Sequence, residues 1–278
     1  MLVITLGLLV GLVLGLTGAG GSVLAVPLLM WGMGWTLPQA APVALLAVSA
    51  SAAVGAIAAW KQGIVRYRAA MVMAGTGMLT APLGLWAGDY LPVNYLNLVF
   101  VGVLLLIAIR MLKQARQTPE ETRIVRASVQ HDGTEHRGPV CQLNTDGRLR
   151  WTRPCAMAIV SSGAGTGFLS GLLGVGGGFV IVPALRAFTA LPFHSAVATS
   201  LMTIALTSAG TVGIALVQGR ELPLSIGLPF MLGALAGMLG GRWLAPNIAG
   251  PRLQQGFAMT VILVAAVMAV KVGMSWTG

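Results

Sequence analysis

Six stretches of this chain, residues 41–60, 69–88, 93–112, 196–217, 222–244 and 254–270, are apolar over lengths close to the ~20 residues that a membrane-spanning helix needs. That feature constrains the fold more than any other, because a backbone in lipid must satisfy its own polar groups and the spanning options reduce to helices or closed barrels. The composition agrees: 56% of residues are hydrophobic, only 9% are charged, and the mean hydropathy is +0.85. Runs this long and this apolar are read as helices, so the expected fold is an all-α polytopic membrane protein. The 38 Gly and 14 Pro lie inside apolar runs, where membrane helices tolerate them, so they do not signal disorder.

Two further apolar stretches, residues 1–35 and 155–191, open the two halves, and a glycine cluster cuts each near its middle. The clusters are copies of one another. Residues 15–27 (GLTGAGGSVLAVP) align with 171–183 (GLLGVGGGFVIVP), with Gly15, Leu16, Gly18, Gly20, Gly21, Val26 and Pro27 identical to their counterparts. The same register aligns Gln62-Gly63 with Gln218-Gly219, and Gly77 and Gly84 with Gly233 and Gly240. A cleaved leader would not recur mid-chain, so the opening segment belongs to the fold. The chain therefore divides into a first membrane repeat (1–112), a linker (113–153) and a second membrane repeat (154–278), each repeat having about four apolar segments.

Charge sets the expected orientation. The net charge of +10 comes from Lys and Arg at span ends and in the linker, a pattern of membrane topology that does not call for nucleic acid. Lys61, Arg66 and Arg68 place the loop after residue 60 inside. Residues 89–92 carry no positive charge and fall outside. The linker holds Glu120, Glu121, Asp132, Glu135 and Asp146 and many arginines, so it is aqueous and cytoplasmic. In the second half, Arg186, Arg242 and Arg252 inside against Arg220 and Lys271 outside favours inverted repeats, each a broken hairpin plus three spanning helices. Within the linker, residues 141–151 alternate around Asp146-Gly147, the signature of a β-hairpin. A cytoplasmic position makes Cys141 and Cys155 reduced thiols.

The apolar spans contain no interior Asp or Glu, and His131, His136 and His194 have no metal-ligand spacing, so neither an intramembrane enzyme nor a cofactor is expected. No phosphate-binding loop of the GxxxxGK[ST] kind occurs. The duplicated glycine break is the informative feature. Helix N-termini present free N–H donors and partial positive charge, and secondary transporters place such broken helices at the repeat interface. The expected anion-binding set is Thr17, Gly18, Gly20, Gly21, Ser22, Gly174, Gly176, Gly177 and Gly178. The small hydroxyls Ser49, Ser51, Thr199, Ser200, Thr203 and Thr207 extend it, although each can instead bond the carbonyl four residues back. Gln62 and Gln218 read as helix-end caps or gates, and His194 as an interfacial or coupling residue.

With both copies of the motif in place, ahead of apolar segments and separated by a charged loop, the chain resembles the sulfite exporter TauE/SafE family over residues 7–112 and 156–272. The resemblance implies export of small sulfur-containing anions, sulfite or organosulfonates, across the bacterial inner membrane. Expected partners are that anion and the lipid bilayer, with homo-oligomerisation left open. The competing expectation is a non-transporting membrane scaffold whose glycines serve close packing alone.

Overall fold

The computed structural model describes residues 1–18, 20–117, 141, 151–189, 191, 193–220, 222–244 and 250–277. These form ten helices: α1 (Leu2–Thr17), α2 (Gly20–Met33), α3 (Leu37–Lys61), α4 (Tyr67–Tyr90), α5 (Val93–Gln117), α6 (Arg153–Leu173), α7 (Gly178–Phe188), α8 (Phe193–Val217), α9 (Leu224–Leu244) and α10 (Gly250–Thr277). The fold is all-α and polytopic. Among the described residues, five segments are long and apolar enough to cross a membrane: α3, α4, α6, α9 and His194–Val217 of α8. Leu79, Leu83, Leu232, Leu239 and Leu263 point outward and are more than half exposed, as lipid-facing side chains are. Trp60, Tyr67 and Trp243 ring one end and Trp86, Tyr90 and Tyr95 the other, the places where amphipathic rings meet headgroups.

Each opening segment folds as a helical hairpin. α1 stops where Gly18 takes the left-handed conformation (φ 73°) and its N–H caps the Leu14 carbonyl; α6 stops in the same way at Gly174 (φ 68°), capping Ser170. A side chain is strained in that conformation, so glycine is what lets the chain reverse there. α2 then packs back along α1: a Cβ on Gly21 would meet Leu14, and one on Gly32 would meet Leu6. The hairpins differ in proportion, with 16 and 14 residues in the first and 21 and 11 in the second.

The two halves interlock reciprocally. α1 packs on α9 and α6 on α4; α3 packs on α8, α5 on α10 and α2 on α7. In the α1–α9 seam Gly7 faces Phe230 and Gly11 faces Ala234, while in the α6–α4 seam Gly163 faces Met73 and Gly167 faces Gly77. Adding 156 to one seam reproduces the other within one residue, so both parallel pairs use the same packing. At Gly11 and Gly167 a Cβ would overlap the facing backbone, and these glycines are the contact surface itself.

α3 and α8 run antiparallel. Their middle residues are Ser49 and Ala205, repeat equivalents, and the Ser49 hydroxyl donates to the Ala205 carbonyl at 3.1 Å. One end of the bundle gathers the termini of α3, α5 and α9 and the starts of α4, α6, α8 and α10. We call it the loop end, because the linker joins it. Among the described residues, Arg220 and Lys271 are the Lys and Arg placed toward the opposite end, and the others lie toward the loop end.

The linker overturns one expectation. Cys141 and Cys155 are joined as a disulfide, with Cα atoms 5.0 Å apart, instead of being two thiols. The Cys141 N–H donates to the Phe188 carbonyl at 2.8 Å and residue 141 bridges to Thr189. The chain thus folds back over the end of α7 and meets the start of α6, a tertiary approach that spacing alone does not encode. The hairpin expected over 141–151 falls on residues outside those described, apart from its two ends. α5 continues through Gln117, beyond the expected repeat boundary at 112.

Candidate functional site

The starts of α2 and α7 meet beside the α3–α8 crossing. A Cβ built on Gly178 would lie 3.5 Å from the Ser22 hydroxyl oxygen and closer still to Ile204, one residue from the crossing point. Ser22 and Gly178 are repeat equivalents, so the two broken segments touch at their matching first turns. α3 and α8 have 25 residues each and are about 37 Å long at the helical rise, so this meeting point is at mid-depth. Gly18 sits shallower, against Val197, and Gly174 against Ala41. These contacts are again repeat equivalents, displaced toward opposite ends of the bundle.

The two breaks are not identical inside. In the second, Gly176 (φ 72°) and Gly177 (φ 62°) are both left-handed, and the N-cap of α7 is Gly177, which has no side chain to cap the helix. Gly20 and Gly21, their counterparts, are already the first residues of α2. The start of α7 therefore presents backbone donors that its own N-cap residue does not cover, packed beside Ile204, Ser22 and Thr166. Facing it, the Ser208 hydroxyl is fully buried and has no hydrogen-bond partner among the described residues. A Cβ on Gly176 would stand 2.6 Å from that hydroxyl oxygen, so Ser208 is aimed at the break.

Most of the other candidate hydroxyls are already occupied as donors. Thr17 bonds the Val13 carbonyl, Thr199 that of Ser195, Thr203 that of Thr199 and Thr207 that of Thr203, at 2.7 to 3.0 Å. A hydroxyl that gives its proton to its own helix has none left for an anion. Ser49 is used at the crossing. Ser200 has two acceptors for its one proton, the Val197 carbonyl of its own helix at 2.7 Å and the Gly18 carbonyl at the tip of the first hairpin at 3.1 Å. Thr199 also accepts the Arg66 N–H at 3.1 Å. Ser51, in α3 two residues from the crossing, is likewise buried and without a partner among the described residues. Ser208 was the residue missed from the sequence. Its signal was a further hydroxyl next to Thr207, which only packing could single out.

Gln62 and Gln218 are exposed at helix ends, each followed by a left-handed glycine (Gly63, φ 69°; Gly219, φ 78°), at opposite ends of the bundle and far from the break. His194 is exposed at the start of α8. Arg242 reaches from α9 to the Gly55 carbonyl of α3. A cavity of about 300 Å³ at the loop end is lined by Arg66, Arg68, Trp60 and Tyr67, and the Arg66 Nε is buried there without a partner among the described residues. No group of three or more metal-ligating side chains occurs among the described residues.

The fold is that of an all-α polytopic membrane bundle whose two hairpins meet near the crossing of α3 and α8. Within that class the chain belongs to the family described as Sulfite exporter TauE/SafE, which it matches over residues 3–268. It is 34% identical over 274 residues to a probable membrane transporter protein of Xylella fastidiosa (strain 9a5c), covering 95% of this chain and 93% of that protein. A second probable membrane transporter protein, YunE of Bacillus subtilis (strain 168), is 27% identical over 219 residues, 75% of each chain. No solved structure matches.

Proposed function

We infer that this transporter exports a small sulfur oxyanion or organosulfonate across a bacterial inner membrane, with the anion held at the start of α7 by the Gly176–Gly178 amides and the Ser208 hydroxyl. The observation that carries the site is the buried, unpartnered Ser208 beside a helix start that has no side-chain cap. An unpaired hydroxyl at mid-depth is costly unless a ligand uses it. Neutral donors also suit a transported ion, because a fixed buried cation would hold it too tightly for release.

Orientation follows from the antiparallel pair. Two equivalent helices that cross at their middles and run in opposite directions are related by an axis perpendicular to both. If α3 and α8 span the bilayer, that axis lies in the membrane plane and the repeats are inverted. With most of the described Lys and Arg at the loop end, that end faces the cytoplasm, where the Cys141–Cys155 disulfide is fully buried and so shielded from reductant. The first hairpin then enters from outside and the second from inside, which is the arrangement alternating access requires. A pre-existing ion gradient supplies the driving force in the absence of a nucleotide-binding motif.

The test is flux in proteoliposomes with sulfite, sulfoacetate, sulfate and chloride compared. Sulfite or sulfoacetate should move faster than chloride, and Ser208→Ala should slow that movement. Equal, background-level flux for all four in monodisperse protein would leave the scaffold reading in its place.

A further inference from the structure

Arg220 and Asp89 form an ion pair at the end of the bundle opposite the linker. The duplication does not account for it. The repeat equivalent of Arg220 is Ile64 and that of Asp89 is Ala245, so both charges were added on one side of an otherwise apolar plan. Their place in the fold is specific. Asp89 ends α4, and Arg220 follows the left-handed Gly219, with its own N–H donating to the Ala215 carbonyl at 3.0 Å. Both help to line a narrow cleft of about 30 Å³, together with Pro38 and Ala41 of α3 and Gly171 and Gly174. Gly174 is the left-handed tip of the second hairpin, two residues before the Gly176 amide. The cleft has room for a water or two, and the ion pair is the part of its lining in which Asp89 reaches solvent, the Asp89 side chain being 60% exposed.

We propose that the Arg220 guanidinium is an outer anion-binding subsite for a sulfonate- or sulfite-like oxyanion, and that Asp89 is its tethered placeholder, closing the cleft until the anion replaces the carboxylate. This rests on the export reading for its ligand class, but not for its test. The chemistry is an exchange of like for like, since a guanidinium binds carboxylate and sulfur oxyanions through the same fork of N–H donors. The Arg220 side chain is 22% exposed and that of Asp89 60% exposed. A pair so close to water is weak and screened, which suits a closure that must open often. Outside the low-dielectric centre, a full positive charge can attract an anion without trapping it.

The experiment uses the full chain in detergent with Ala41→Cys as reporter inside the cleft, and Ala215→Cys as an independent second reporter should the first not fold. The bonded Cys141–Cys155 pair does not react with the probes. Labelling rates are compared for two methanethiosulfonates of similar size, one ending in a sulfonate and one in a trimethylammonium. With the native pair both should be slow. Asp89→Asn should speed the sulfonate reagent about tenfold or more over the cationic one, within the range by which a charged cleft concentrates a counter-ion. Arg220→Gln should speed both alike, and the exchanged pair Asp89→Arg with Arg220→Asp should slow both again. Unchanged rates in both single variants would overturn the closure, and an equal rise for both reagents in Asp89→Asn would overturn the anion subsite. If the sulfonate preference holds while vesicles carry no oxyanion, the subsite stands and the export reading falls; flux without that preference gives the reverse.

Discussion

Replacing Ser208 with Ala should make this protein more stable and less active, and the opposite signs are what distinguish a binding residue from a packing one. In the unliganded fold the hydroxyl is fully buried with no partner, a condition that costs about 1–3 kcal/mol. Deleting the oxygen leaves the Cβ and its α8 contacts in place, so about 1 kcal/mol should be recovered after a small loss of packing. For a chain of this size that is an upward shift of about 2 °C in the unfolding midpoint. In the anion complex the same hydroxyl donates to a charged acceptor, worth about 1.5–3 kcal/mol, and its loss weakens binding roughly ten- to a hundredfold. Thermal unfolding in detergent and sulfite flux in proteoliposomes read the two effects separately. Thr207→Val, on the neighbouring residue whose proton already goes to Thr203, is the control and should leave affinity unchanged. A Ser208→Ala protein that is less stable, or that transports at the native rate, would refute the assignment.

Gly176→Ala should fold, because its cost is the left-handed conformation, about 1–2 kcal/mol, and a contact with the rotatable Ser208 hydroxyl, yet it should not bind the anion; Gly11→Ala, whose Cβ meets the Ala234 backbone, should instead fail to elute as a monodisperse species. Size-exclusion profiles and flux measured together separate the two kinds of glycine. Cysteines introduced at Arg66 and Tyr90 should label from the cytoplasmic and outer sides respectively, and labelling of position 66 from outside intact cells would reverse the orientation. The unfolded chain should take up two polyethylene-glycol maleimides only after reduction. Changing Cys141 and Cys155 to Ser should lower the unfolding midpoint, since a bridge over a loop of this length is worth about 3 kcal/mol, and a native chain that labels without reductant would remove the disulfide.

What could be read from the sequence was whatever local periodicity or repetition encodes. The apolar runs located α3, α4, α5, α8, α9 and α10, and the copied glycines located both chain reversals. Even there, α6 is long enough to span by itself, which the reading of residues 155–191 as one broken stretch did not separate. What escaped depends on contacts between distant segments. Cys141 reaches Cys155 because residue 141 bridges to Thr189, and Asp89 finds Arg220 across 131 positions of sequence. Thr207 and Ser208 are adjacent hydroxyls of similar chemistry. Only the packing of α8 shows that the first is bonded to its own helix and the second faces a break.

The departures from duplication fall where function would put them. Much of the scaffold is shared by the two halves: both hairpins reverse at an equivalent left-handed glycine and both seams repeat within one residue, while Gly176 and Gly177 add two left-handed residues to the second break alone. A two-state exchange of inward- and outward-open forms needs that, since each half must be able to take the other's conformation at similar energy. The chemistry is not shared. Ser208 replaces Ala52, Gly178 replaces Ser22, and the Arg220–Asp89 pair replaces Ile64 and Ala245. Had the glycines served packing alone, the side chains around the two breaks would have had no reason to diverge in polarity at the same few positions. On the proposed reading, the Ser208 hydroxyl at the second break and the Arg220–Asp89 pair in its cleft serve one anion path through a scaffold of two similar halves. The Ser208→Ala and Asp89→Asn variants should accordingly impair different steps, the first the affinity at mid-depth and the second the closure above it, with their effects on affinity close to additive because the sites share no partner. Strong coupling between the two would mean a single site, and would place the anion at the Gly174 tip instead of the Gly176 amides.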